Sequence, residues 1–229
     1  MAAIRVGVLT IGQAPRADRM AAEIGAVLGA GFEIVERGAL DGLDRPALEL
    51  IAPGPGDELL VSMLLDGSEV RLAKRGIIPL LQRRLSALEE DDGVAATLLV
   101  CSGPFPGFAH SRPLVQPQPL LYGAALALAG KARIAVLLPD PAQFDWARRQ
   151  WLAAGVPDPL LLCADPYQPE RMASVIAAAA SAEAAGAGCL YLDCFGYDRT
   201  LREAAATAFQ GPIVLARTTA GRLLAEVAS

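Results

Sequence analysis

Two cysteines close two look-alike apolar runs. The first run is Leu98-Leu99-Val100-Cys101-Ser102-Gly103, and the second is Leu190-Tyr191-Leu192-Asp193-Cys194-Phe195-Gly196. Each ends in Cys-x-Gly. A thiol suits proton transfer at carbon, because its ordinary pKa of about 8.5 lies within reach of neutral pH and responds to its surroundings. Taking a proton from one face of an α-carbon and returning it to the other needs two such groups. The plain alternative is that Cys101 and Cys194 are small buried hydrophobes, as most thiols are. Gly103 and Gly196 permit a tight turn and bring backbone N–H groups close to an anion. Ser102 adds a hydroxyl donor. Phe195 in the matching position implies an apolar wall on that side of a ligand.

A second group follows the first apolar run, in Thr10-Ile11-Gly12-Gln13-Ala14-Pro15-Arg16. Thr10, Gln13 and Arg16 offer a hydroxyl, an amide and a guanidinium just before a helix. Arg16 could grip a carboxylate through two bonds, or pair with Asp18 instead. Thr218 and Thr219 open the last helix, where hydroxyls cap the helix or cradle an anion. His110 lies in a Pro/Gly-containing loop and reads as surface. Asp193 and Cys189 should point to the face opposite Cys194 and read as structural. Cys163 reads as core or rim, and Trp146 and Trp151 as packing or interface. Four cysteines, no Cys-x-x-Cys spacing and a single histidine argue against a Cys/His zinc site.

These residues must be positioned by strands and helices. Strands are expected at 4–9, 33–36, 97–101, 133–138, 159–163, 189–194 and 212–215. Helices are expected at 17–28, 77–90, 120–129, 142–154, 169–185, 200–209 and 218–227. Fully apolar strands alternating with helices imply parallel sheets covered on both faces. In such sheets ligands sit beyond the carboxyl ends of the strands, where Cys101 and Cys194 both fall. One segment breaks the rhythm. At 57–74 two β-rich runs flank Asp66-Gly67, a hairpin turn signal. This hairpin is expected to project from its lobe and to cover the ligand site or pair with another subunit. The preceding Pro53-Gly54-Pro55-Gly56 marks an insertion boundary.

The chain of 229 residues is long enough for one large or two small domains, and 53% apolar with 20% charged residues excludes a disordered chain. A formal net charge of −5 without a basic stripe argues against a nucleic-acid or anionic-membrane partner. The most apolar windows, 122–139 and 175–192, contain Lys131 with Arg133 and Glu183, so neither spans a bilayer. With no h-region at the start, a cytoplasmic protein with reduced thiols is expected.

The segments 10–16 (TIGQAPR), 60–72 (LVSMLLDGSEVRL), 98–107 (LLVCSGPFPG) and 192–197 (LDCFGY) resemble the AroM family over nearly the whole chain. More distantly, the paired strand-end cysteines resemble the aspartate/glutamate/hydantoin racemase superfamily. That resemblance implies two pseudo-symmetric α/β lobes, one cysteine from each, and cofactor-independent chemistry at the α-carbon of small carboxylates or their cyclic amides. The AroM name implies an association with aromatic-pathway genes. The amino-acid racemases commonly follow their cysteines with Asn-Thr and Thr-His. Here Ser102-Gly103 and Phe195-Gly196 stand instead, so fold and cysteine placement carry over better than substrate.

The expected protein is therefore α/β with two pseudo-equivalent lobes, 1–115 with 213–229 and 116–212, and a cleft between them. The expected activity is a racemase or isomerase of a small carboxylate, with Cys101 and Cys194 as the acid–base pair. No cofactor or metal is expected, and a homodimer is the expected assembly. The competing reading is a non-catalytic carboxylate-binding or regulatory protein with the cysteines as pocket walls.

Overall fold

Strand-forming apolar runs fold into two separate four-stranded sheets, every neighbouring pair parallel. The computed structural model describes residues 2–16, 18 and 20–229. The chain divides into two compact units, Met1–Pro117 with Ala220–Ser229, and Gln118–Thr219.

The sheet of the first unit contains β1 (Ile4–Thr10), β2 (Phe32–Gly38), β5 (Thr97–Val100) and β6 (Leu114–Val115), in the order β2-β1-β5-β6. A hairpin, β3 (Leu59–Met63) and β4 (Glu69–Ala73), forms its own two-stranded sheet. The helices are α1 (Met20–Leu28), α2 (Arg45–Glu49) and α3 (Lys74–Glu90). In α3 the buried residues are Ile77, Leu81, Leu85 and Leu88. Their spacing makes one apolar stripe, which forms a core with Leu9, Ile11, Leu99 and Cys101 on one face of the sheet.

The second unit holds β7 (Ile134–Leu138), β8 (Leu160–Cys163), β9 (Cys189–Leu192) and β10 (Ile213–Leu215), in the order β10-β9-β7-β8. Its helices are α4 (Pro117–Ala129), α5 (Phe144–Ala153), α6 (Arg171–Ala184) and α7 (Arg199–Ala206), with a 3-10 turn at Pro141–Gln143 before α5. All five residues of β7 are buried, as a strand covered on both faces requires. On α6 the buried residues are Val175, Ala178, Ala179 and Ala182. They pack with Leu137, Leu190, Leu192 and Tyr197.

The two sheets share one topology. Numbering only the strands of each four-stranded sheet in chain order, both run second, first, third, fourth. Cys101 follows the third strand of the first four-stranded sheet and Cys194 lies just past the third strand of the second. The internal repeat in the sequence is thus a repeat of fold.

Two expectations are corrected. Residues 213–215 were expected with the first lobe, but β10 pairs with β9, so they belong to the second sheet. The return to the first unit comes inside α8 (Ala216–Ala228), at Ala220. The hairpin at 57–74 is an insertion between β2 and α3, since β8 reaches α6 through a short loop. It does not project. Leu60, Leu64, Val70 and Leu72 pack against the core with α3, while Leu65 stays 53% exposed. Its loop follows the sequence signal: Leu64 N–H donates to Ser68 O over 2.9 Å, and Gly67 takes φ +83°. That is the left-handed geometry a three-residue hairpin loop places on glycine.

Candidate functional site

The first unit gathers Thr10, Gln13, Arg16, Cys101, Ser102 and Gly103 at the carboxyl edge of its sheet. Thr10 pairs with Val100, so the loops after β1 and β5 leave the sheet side by side. Cys101 is 9% exposed and belongs to the apolar core beneath α3. Ser102 and Gly103 are half-buried in the bend that follows.

The loop after β1 is built from internal bonds. Thr10 Oγ1 accepts from Gly12 N–H at 3.2 Å. Gln13 Oε1 accepts from Leu65 N–H at 2.9 Å, and Gln13 N–H donates to Met63 O at 3.2 Å. Gln13 thus fastens the hairpin to the sheet edge. Arg16, expected to hold a ligand carboxylate, makes two bonds to Asp18 of 3.1 and 2.9 Å and a third to Ser62 Oγ at 3.3 Å. Asp18 supplies the internal partner that the sequence allowed. Glu36 lies beside this group and its carboxyl is pushed up, first by burial and further by Asp18 and Asp41.

Asp41 ties the same loop to β2, accepting from Gly38 N–H at 2.7 Å and Ala14 N–H at 2.8 Å. A Cβ at Gly38 would stand 2.5 Å from Gly12 O, 2.6 Å from Asp41 Oδ1 and 2.7 Å from Ala14 N. All three neighbours are backbone or fixed by backbone bonds, so none yields cheaply. Gly38→Ala is expected to cost roughly 1–3 kcal/mol, the range for forced overpacking. An unchanged denaturant midpoint would show that the loop is softer than this packing implies.

Beyond Cys101 the loop runs through Pro104, Phe105 and Pro106, which edge a groove of about 560 Å³ with Lys74, Arg75 and Ile78. Its charges are paired locally. Lys74 Nζ lies 2.6 Å from Glu58, and Arg75 Nε 2.6 Å from Asp57.

The second unit gathers Cys194, Phe195, Gly196, Thr218 and Thr219 at the carboxyl edge of its own sheet. Cys194 is half-buried and packs against the core shared with α6 and α7. Phe195 is 3% exposed, which puts its ring inside the unit. Gly196 N–H donates to Cys194 Sγ at 3.2 Å. The glycine was expected to turn its N–H toward an anion, and the group it addresses is the cysteine sulfur. A Cβ at Gly196 would stand 2.5 Å from Tyr167 Oη and 2.7 Å from Pro166 Cγ, which accounts for glycine there. Tyr197 Oη donates to Ala164 O at 2.7 Å and anchors the loop to the end of β8. Asp198 then caps α7, accepting from Leu201 N–H at 2.8 Å.

Thr218 and Thr219 lie within the first turn of α8, which begins two residues earlier than expected. Thr218 Oγ1 donates to Leu215 O at 3.4 Å. The residue that sequence reasoning passed over is Arg217, which is fully buried. Its Nε donates to Phe195 O at 2.5 Å and its Nη2 to Gly196 O at 3.3 Å.

The other cysteines separate cleanly from this pair. No disulfide links any of the four. Cys189 is fully buried and its thiol is pushed up to about 11 by burial. Cys163 is exposed at the end of the edge strand β8; partial burial, Asp140 and Asp165 raise it. On the β9 face opposite Cys194, Tyr191 and the 5%-exposed Asp193 lie against Tyr122. Burial first and Asp193 second push both phenols up. His110 is exposed, with Nδ1 2.8 Å from Arg112 O. Among the described residues no group of three His, Cys, Asp or Glu side chains could hold a metal, and no helix is long and apolar enough to cross a membrane.

A family model described as AroM protein matches residues 6–228. No curated protein matches the sequence. Among solved structures, allantoin racemase from Pseudomonas fluorescens aligns with TM-score 0.64 at 15% identity, covering 97% of this chain and 90% of that one. Glutamate racemase from Francisella tularensis in complex with D-glutamate aligns at 0.59 and 12% identity, covering 99% and 81%. Aspartate racemase from Picrophilus torridus aligns at 0.56 and 11%, covering 98% and 94%. At these identities the likeness is one of fold: two α/β lobes of the aspartate/glutamate racemase kind.

Proposed function

The chain belongs to the AroM family, and from that premise we propose that it is a cofactor-independent racemase or isomerase of a small carboxylate, with Cys101 and Cys194 as its acid–base pair. The observation that carries this reading is positional. Two sheets of identical strand order each carry one cysteine just beyond their third strand, Cys101 next to Val100 and Cys194 two residues past Leu192, packed against the core of α3 in one unit and of α6 in the other. Cys163 and Cys189 hold no such matched positions. The racemase names of the three structural neighbours favour chemistry at an α-carbon.

In this mechanism one cysteine, as thiolate, takes the α-proton and the other, as thiol, returns a proton to the opposite face. Roles exchange in the reverse direction. A thiol pair can do this at neutral pH only if one sulfur is stabilised as an anion. Thr10, Gln13, Arg16, Ser102, Gly103, Phe195, Gly196, Thr218 and Thr219 are the proposed substrate-side residues. Arg16 would meet a substrate carboxylate by exchanging it for Asp18, a swap of like partners.

The test is a deuterium-exchange screen. Small hydroxy, keto and amino acids, hydantoins and shikimate-type acids are incubated with the protein in D2O and followed by NMR. Loss of the α-proton signal from one of them, with appearance of the opposite enantiomer, is the expected result. No exchange with any class would set the catalytic reading aside. The burial of Cys101 in an apolar core favours a second reading, a carboxylate-binding or regulatory protein. It predicts that ligands protect the thiols from alkylation while no exchange occurs.

A further inference from the structure

The peptide joining Phe195 to Gly196 is held from both ends. Its carbonyl accepts from the buried guanidinium of Arg217 at 2.5 Å, and its N–H donates to Cys194 Sγ at 3.2 Å. Arg217 also reaches the next carbonyl, Gly196 O, at 3.3 Å. A cation on the oxygen of an amide draws electron density from its nitrogen and makes the N–H a stronger donor. Hydrogen bonds in such a chain reinforce one another, most where water is excluded. The strengthened donor points at sulfur, and it favours the anion over the thiol.

Tyr191 and Tyr197 both lie within electrostatic reach of this sulfur, Asp193 precedes it in the chain, and Tyr167 Oη abuts Gly196. Asp193 opposes a second negative charge. Arg217, from the start of α8, is the group on the other side of that balance. Fixed carbonyl partners aim its planar fork, which a lysine cannot reproduce.

We propose that Arg217 is a positioning residue for Cys194: acting through the Phe195–Gly196 peptide, it holds the Cys194 sulfur as the proton-accepting thiolate of the pair. The inference rests on the acid–base role given to Cys194 above, but its readout needs no substrate. Failure of the deuterium screen and failure of this idea are therefore separate results.

The experiment is a pH profile of iodoacetamide alkylation of the full-length protein, with each cysteine followed by peptide mass spectrometry. In the wild type, the Cys194 midpoint is expected below the ordinary thiol value of about 8.5. Arg217→Met should raise it by about one unit, a roughly tenfold loss of reaction rate at pH 7. Arg217→Lys should give a smaller rise. The Cys101 midpoint and the far-UV circular dichroism should not move. A wild-type midpoint at or above about 8.5 overturns the proposal. So does a folded Arg217→Met protein with an unchanged midpoint, or one in which Cys101 shifts equally. If Arg217→Met does not fold, Arg217→Lys decides, and an unchanged midpoint there overturns it.

Discussion

Replacing either Cys101 or Cys194 by serine is expected to abolish racemisation while leaving one-sided proton exchange. Inversion needs a base on one face and an acid on the other, and a serine hydroxyl ionises far too weakly to serve as the base. Each variant should lose at least about 10³-fold of net inversion, within the range supplied by positioned acid–base groups. Exchange without inversion needs only the surviving thiol. Cys101→Ser should therefore wash deuterium into one enantiomer and Cys194→Ser into the other, as read by NMR and chiral chromatography on the same samples. Burial makes the control necessary. Cys101 is 9% exposed within an apolar core, so its serine variant buries a hydroxyl at a cost of about 1–3 kcal/mol. That lowers stability without touching chemistry. If both cysteines are only packing groups, both variants lose stability and neither loses turnover. A mechanism with a single essential thiol leaves one variant fully active. Full activity in both ends the two-thiol reading.

The elements that could be read from sequence are those whose local chemistry has one solution. The run 134–138 is apolar at every position and is a buried strand. Asp66-Gly67 between β-rich runs is a hairpin. The elements that could not be read depend on distant partners. β6 is two residues long and exists because Leu114 and Val115 pair with Thr97 and Leu98. The start of α3 at Lys74, three residues before the expected 77, was hidden by Gly76, which looks like a breaker. Gly76 is explained by Ile51, whose Cγ2 would lie 2.8 Å from an added Cβ. α2 carried a legible signal, Asp44 as N-cap with Pro46 behind it, that its single turn of length obscured. In the candidate site, the matched cysteines were visible because a strand end followed by Cys-x-Gly occurs twice. Whether Arg16 faces outward or toward Asp18 was not, since both are legal rotamers of one motif. Arg217 was missed for the same reason. Its partners are the carbonyls of Phe195 and Gly196, and backbone acceptors leave no mark in a sequence.

The largest loss of stability is expected at Trp151, on the face of β9 away from Cys194. Trp151 is fully buried. Its ring stacks on Tyr122 with centroids 4.0 Å apart, and meets Tyr191 edge-on at 5.7 Å. Tyr122 and Tyr191 make a third contact at 6.2 Å, closing a triangle of rings between α4, α5 and β9. Truncating one corner removes apolar burial and leaves a cavity that neighbouring strands cannot collapse into, so Trp151→Ala should cost roughly 3–5 kcal/mol. Trp151 Nε1 finds no hydrogen-bond partner among the described residues. The indole N–H therefore returns nothing for its desolvation, and Trp151→Phe should cost much less, about 1–2 kcal/mol, because the stacking surface survives in part. Equilibrium denaturation followed by circular dichroism measures both. Equal losses in the two variants would show that a polar contact of the indole, not ring burial, holds this face. The position also separates stability from chemistry. Leu190, Leu192 and Cys194 face α6 and α7, whereas Trp151 lies across the sheet from them. A Trp151→Ala protein that remains folded at low temperature should keep the Cys194 alkylation profile of the wild type, even as its unfolding midpoint falls.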